Sequence, residues 1–308
     1  MWTAGQYNIL IRSYKEMTDM DIFCGITWKN NGNPHYEIIR NGVVTAINLS
    51  AGIPLPRGTE RHCTGYYDFS YGTTGVHTPC PHAAQVAKGH QCRSCQLQEG
   101  FVALHNTKHL NAVPPQLRSY ISQEHYLYLA AFGGGVVKVG TAARSRHPAR
   151  WYEQGALAAM RIASRPDGIA IRQLESRISH AHGITQTVRG NLKTNLISTL
   201  PSVEQVTADL HAVSQLVTDD RDVLVSGTIW CDMLPTIVNL KQKSEECRIL
   251  PAGSTSWSLL DGPYAVGQCL IWHGHLSNYL LDIKPLVGRS VVFTDVGEGE
   301  TPLQTALF

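Results

Sequence analysis

The stretch YLYLAAFGGGVVKVGTAARSRHPARW, from Tyr126 to Trp151, holds two β-forming runs around three glycines. With His125 in front, HYLYLAAF alternates as a strand, and VVKVGT returns as a second. Gly133, Gly134 and Gly135 suit a tight connection, so the pair reads as a hairpin and not as a nucleotide-binding fingerprint. Side chains alternate along a strand, which puts Tyr126 and Tyr128 on one face. ARWYEQGALAAMRIA begins as a helix. PDGIAIRQLESRISHA follows, with Asp167 as N-cap and Ile171, Leu174 and Ile178 at helical spacing. SVEQVTADLHAVSQLV is the clearest helix, with Ser202 as N-cap and Val203, Val206, Leu210, Val213 and Leu216 along one side.

Upstream, DIFCGITW, HYEIIRNGVV and VVTAINLSAGIPL read as strands separated by turn residues. A run rich in Cys, His, Gly and aromatics follows without helical or strand periodicity. FVALHNTKHLNAVPPQLRSYIS reads as a connector hinged at Pro114-Pro115. Downstream, VLVSGTIW, LPTIVNL, YAVGQCLIWHG, SNYLLDI and SVVFTDVG read as short strands. The expected class is α+β in four regions: an N-terminal β region (1–58), a cysteine loop with its connector (59–120), a small α/β core (121–218) and a β-rich C-terminal region (219–308).

Across 308 residues, 43% hydrophobic and 16% charged side chains describe a folded chain rather than a disordered one. The net charge of +2 gives no general attraction to nucleic acid, so such binding would need a local basic surface such as Arg144, Arg146, His147 and Arg150. The N-terminus lacks a basic segment followed by an apolar one, and no apolar run is long enough to span a bilayer. The expected location is therefore cytoplasmic, without membrane contact, where thiols stay reduced and clustered cysteines mean metal more often than disulfide.

Of eight cysteines, Cys63, Cys80, Cys92 and Cys95 fall in one short window, while Cys24, Cys231, Cys247 and Cys269 are isolated and read as core thiols. Cys92-x-x-Cys95 sets two thiolates on one tight turn, and Cys63 and Cys80 can complete a tetrahedral zinc shell. His62, His77, His82 and His90 are alternative ligands. A shell with no open position is structural rather than catalytic.

The Tyr126–Trp151 stretch resembles the GIY-YIG nuclease superfamily. Tyr128 or Tyr126 takes the place of the first motif's tyrosine, and Lys138-Val139-Gly140 that of the YIG tripeptide. Arg150 looks like the arginine of the following helix, and Glu175 in RQLESRI like the metal-binding glutamate. More closely, CTGYYD…CP…CRSC followed by KVGTA, ARWYEQGA and LE is similar to the domain of unknown function 2797 family over most of the chain. The superfamily resemblance implies phosphodiester hydrolysis of nucleic acid. Tyr126 or Tyr128 would assist proton removal, Arg150 would brace the phosphate, Mg²⁺ or Mn²⁺ would sit on Glu175, and Lys138 would either steady phosphate charge or act as base. Lys138 departs from the pattern because it is not a phenol, though burial can turn a lysine into a base. Two other readings stay open: a zinc-stabilised protein that binds nucleic acid without cutting it, and a related core acting on a small metabolite.

Overall fold

The computed structural model describes residues 20–29, 32–104, 107, 109–223, 230, 234–255 and 257–294. Strands β1 (Asp21–Trp28), β2 (Pro34–Arg40) and β3 (Val43–Ile47) form an antiparallel meander. Asn41 and Gly42 link β2 to β3 with φ of 52° and 72°, the positive angles of a two-residue hairpin turn. After β4 (Pro54–Pro56), β5 (Tyr66–Asp68) pairs with β6 (Val76–Thr78) inside the cysteine loop. Short helices α1 (Arg93–Glu99), α2 (Phe101–Leu104) and α3 (Arg118–Ile121) lead to the hairpin of β7 (His125–Ala131) and β8 (Val137–Ala143).

The chain continues through α4 (Ala149–Glu153), β9 (Ala158–Arg165), α5 (Gly168–His182), α6 (Gly190–Ser198), α7 (Val203–Val217) and α8 (Leu234–Lys243). Five strands close it: β10 (Cys247–Leu250), β11 (Asp261–Val266), β12 (Cys269–His273), β13 (Asn278–Asp282) and β14 (Ser290–Phe293). The sheets run β3-β2-β1-β14-β4, β8-β7-β9, β10-β13-β12-β11 and β5-β6. Helices with several mainly antiparallel sheets make this an α+β fold. β14 sits between β1 and β4, so one sheet joins chain segments from both ends of the described residues.

The middle sheet is the best-buried part. β7 lies between β8 and β9, and all of its residues are buried. Leu127, Leu129 and Ala131 meet Ile171, Leu174 and Ile178 of α5 and Val206 and Leu210 of α7. Tyr128, Ala130 and Phe132 pack instead with Trp151 and Ala159. The period-two pattern thus feeds two cores. Both expected N-caps form: Asp167 Oδ1 accepts the N–H groups of Ile169 and Ala170 at 2.8 Å, and Ser202 Oγ accepts that of Gln205 at 3.2 Å.

Several expectations fail. LPTIVNL is part of helix α8, with Ile237 and Leu240 buried one turn apart. ARWYEQGALAAMRIA is helical only to Glu153; its second half is strand β9, pairing with β7. On α7 the chain buries Val217 and exposes Leu216. Pro114-Pro115 is not a loose hinge, because Val113 and Leu117 on either side are buried with Phe69, Leu104, Ile121 and Ile169. Most of VLVSGTIW, and Cys231, lie outside the described residues.

Candidate functional site

The cysteine loop converges as its spacing predicts. The Sγ atoms of Cys63, Cys80, Cys92 and Cys95 all lie within 4.8 Å of one another, and those of Cys80 and Cys92 are 3.9 Å apart. Zn–S bonds of ~2.3 Å in a tetrahedron place sulfurs ~3.8 Å apart, so little contraction separates this arrangement from a metal shell. Backbone amides prepare the thiolates. Cys63 Sγ accepts N–H bonds from Cys92 at 3.1 Å and Gly65 at 3.4 Å. The Cys92 thiol is held down to about 7, first by the Cys95 backbone N–H. These four residues could hold a metal ion such as zinc. None of the alternative histidines joins the group; His77 instead binds Glu37 through Nδ1 at 2.7 Å and the Thr64 carbonyl through Nε2 at 2.6 Å.

The resemblance-derived residues divide into a group and an outlier. On β7 and β8, Ala130 pairs with Lys138 and Tyr128 with Gly140, which puts Tyr128 and Lys138 on one sheet face. Lys138 Nζ stands 5.9 Å from the Tyr128 ring centre and donates to the Gln186 carbonyl at 3.4 Å. Arg150 of α4 and Glu175 of α5 are within Coulombic reach of both Tyr128 and Lys138. Tyr126 stands apart: its hydroxyl donates to Glu124 at 3.1 Å and its ring lies 4.8 Å beneath the Arg161 guanidinium. Of the two tyrosines, Tyr128 belongs to the group.

Burial sets the proton chemistry of this group. Desolvation pushes Tyr128 up to about 12, against the opposing pull of Arg150, so its phenol stays protonated at neutral pH. Desolvation, aided by Arg150 and opposed by Glu175, draws Lys138 down to about 8. Glu175 is raised by burial, an effect that Lys138, Arg172 and Arg150 partly offset. Gly140 is required by the packing: a Cβ there would lie 2.8 Å from Cζ and the hydroxyl of Tyr128.

The sequence leaves two further members open, Gln154 as a turn or substrate-contact residue and Lys193 as part of a polar stretch on a cleft or a surface loop. Gln154 Nε2 donates to the Tyr128 hydroxyl at 2.8 Å, and Lys193 of α6 donates to the Gln154 carbonyl at 2.7 Å while standing 4.5 Å from the Phe132 ring centre. Lys193 is drawn down to about 8 by burial and then by Lys138 and Arg150. Its position one turn before buried Ile197 was the available signal that it faces inward rather than lying on a surface loop.

A cleft of about 730 Å³ shares one residue, Arg150, with this group. Its walls come from the cysteine loop (Tyr66, His77, His90), from β2 (Glu37) and from α4 (Arg150, Glu153). Arg150 therefore faces both the cleft and the Lys138–Glu175 group.

Residues 84–220 match the family model described as Protein of unknown function (DUF2797). The match supports that family over a narrower stretch than the motifs suggested: it includes Cys92, Cys95, Lys138, Arg150 and Glu175 and begins after Cys63 and Cys80. No curated protein and no solved structure matches the chain. Among the described residues, no helix is long and apolar enough to cross a membrane.

Proposed function

We propose that the middle unit is a phosphodiester-cleaving site of GIY-YIG type that acts on nucleic acid, with a structural zinc ion on Cys63, Cys80, Cys92 and Cys95. One observation carries the reading: Lys138, Arg150 and Glu175 come from three separate elements into mutual electrostatic reach beside the buried Tyr128. The order strand, strand, arginine-bearing helix, strand, glutamate-bearing helix also supports it.

The burial of Lys138 changes what the lysine at the YIG position means. With its proton affinity drawn down to about 8, a useful fraction is free amine near neutrality. That amine accepts a proton from the attacking water as the new O–P bond forms, while the old P–O bond breaks and the leaving oxygen takes a proton from solvent. Tyr128 keeps its proton and orients the site through Gln154. Arg150, exposed and forked, braces the phosphate. Glu175 offers a single carboxylate, and the cysteines are the one group of three or more gathered ligands among the described residues. The lone Glu175 carboxylate suits Mg²⁺ or Mn²⁺, which hold most of their waters and need one or two carboxylates. Such an ion would neutralise charge on the phosphate oxygens.

The test is incubation of zinc-loaded protein with single-stranded, branched and duplex DNA plus Mn²⁺. Cutting is expected, with a rate that rises with pH and levels off above about 8, and with a drop of ~10²-fold or more in Lys138→Met and Glu175→Ala. No cutting by the wild type, or undiminished cutting by Glu175→Ala, sinks the reading. One observation favours a second reading, binding without turnover: the Tyr128 side chain is fully buried and cannot itself touch a substrate.

A further inference from the structure

The charges lining the 730 Å³ cleft are unevenly engaged. Its three carboxylates are all occupied within the protein. Glu37 takes His77 at 2.7 Å and the Tyr67 hydroxyl at 3.4 Å. Glu99 accepts the Tyr67 N–H at 3.1 Å and Gln91 Nε2 at 3.2 Å. Glu153 is held by Arg146 at 2.5 and 2.6 Å. The side-chain ammonium groups of Lys88 and Lys284, both residues exposed on the same walls, have no hydrogen-bond or ion-pair partner among the described residues. Arg150 adds only a 3.5 Å contact to Glu153, leaving most of its donors available. The available groups are cationic, although acids line the same walls.

The cleft also offers an aromatic surface. Tyr66 lines it half-buried and makes no ring contact with any other aromatic among the described residues, whereas neighbouring Tyr67 is stacked on His77 at 4.8 Å. The cations continue inward: Lys284 lies within Coulombic reach of Lys193, and Lys193 within reach of Lys138 and Arg150. A phosphate held at Arg150 would thus have further cations in the same surroundings. A volume of about 730 Å³ lies in the range of small-ligand sites, ~300–1,000 Å³. That accommodates a nucleotide or two.

We propose that this cleft binds single-stranded nucleic acid, with a base stacked on Tyr66 and flanking phosphates met by Lys88 and Lys284. The proposal rests on the reading of the Lys138–Arg150–Glu175 group as a phosphate site and names the form of the chain that reaches it. Duplex would have to open, or present a frayed end, before its backbone could enter.

The experiment is fluorescence anisotropy of zinc-loaded protein with labelled six-nucleotide DNA and RNA single strands and a duplex of the same sequence, without added Mg²⁺ or Mn²⁺. Single strands should bind tighter than duplex, and the DNA and RNA arms show which sugar is preferred. Tyr66→Ala should weaken single-strand binding about 5- to 150-fold, the effect of losing one base–aromatic stack. The double variant Lys88→Ala/Lys284→Ala should flatten the dependence of log K on log salt by about 1.4, from ~0.7 per single-strand phosphate contact. Zinc content and thermal midpoint, checked in each variant, should stay at wild-type values. Equal affinity for duplex, or unchanged affinity and salt slope in these variants, overturns the proposal. Binding that shows these effects but never leads to cutting supports this cleft while removing the cleavage reading.

Discussion

Between Cys63 and Cys95 the buried residues are Cys63, Thr64, Gly65, Phe69 and Cys95; in β7 every residue is buried. The first segment brings two three-residue strands and little apolar surface. The second sits between two apolar clusters that draw on α4, α5 and α7. One region gathers four sulfur atoms that could hold a metal ion, the other is held by close packing. Their tolerances should differ accordingly. A thiolate site fails all at once when its ion leaves, whereas a packed sheet loses stability in proportion to the volume removed.

On the proposal of a zinc ion at the four cysteines, removing it is the sharpest way to separate them. Chelation, or Cys92→Ser, forfeits apparent binding energy of ~10–16 kcal/mol. Protease sites between residues 63 and 95 should open while the helical circular dichroism of the middle unit persists. A loop that stays protease-resistant without metal would erase the contrast. Leu129→Ala should do the reverse. It deletes a fully buried side chain and should cost ~2–5 kcal/mol in urea unfolding, with metal content per chain unchanged.

Gly140→Ala tests whether the packing sets the site's shape. Its methyl would crowd Tyr128 at 2.8 Å, at a cost of ~1–3 kcal/mol, and any cleavage should fall further than that loss of stability explains. Lys138 gives the smallest effect. Its folded value, about 8, lies below the ~10.4 of an unfolded lysine. Between those values the unfolded chain holds the proton more readily, so stability should rise with pH across that window, by on the order of a kcal/mol or two. It should be lost again as pH falls through 8, and Lys138→Met should reduce the slope while leaving the share that Lys193 contributes.

What could be read from the chain alone follows the same division. Local devices were legible: Asn41-Gly42, Asp167, Ser202 and the Cys92–Cys95 pair each act over a few residues, and each is found in place. Elements set by tertiary burial were not. Ile237 and Val238 favour strands, yet α8 forms because a helix buries Ile237 and Leu240 together. Strand β9 hides in alanines that look helical until β7 pairs with them. For the site, Lys138, Arg150 and Glu175 could be singled out by resemblance, whereas Gln154 and Lys193 stood open between site and surface until their contacts were seen, and the cleft had no signal. Glu37 and His77 meet across 40 residues of sequence, and no spacing rule reaches that far.

The insertion of β14 between β1 and β4 also constrains how the protein is made. β4 has left the ribosome more than two hundred residues before its hydrogen-bonding partner is synthesised. At ~5–20 residues per second that wait is ~10–50 s. During it, one side of β1 and the whole of β4 present unpaired edges, and such edges recruit foreign strands. The nascent chain depends on a late-arriving strand to seal its earliest sheet. Slowed translation between β4 and β14 should therefore favour aggregation even when the finished protein is stable.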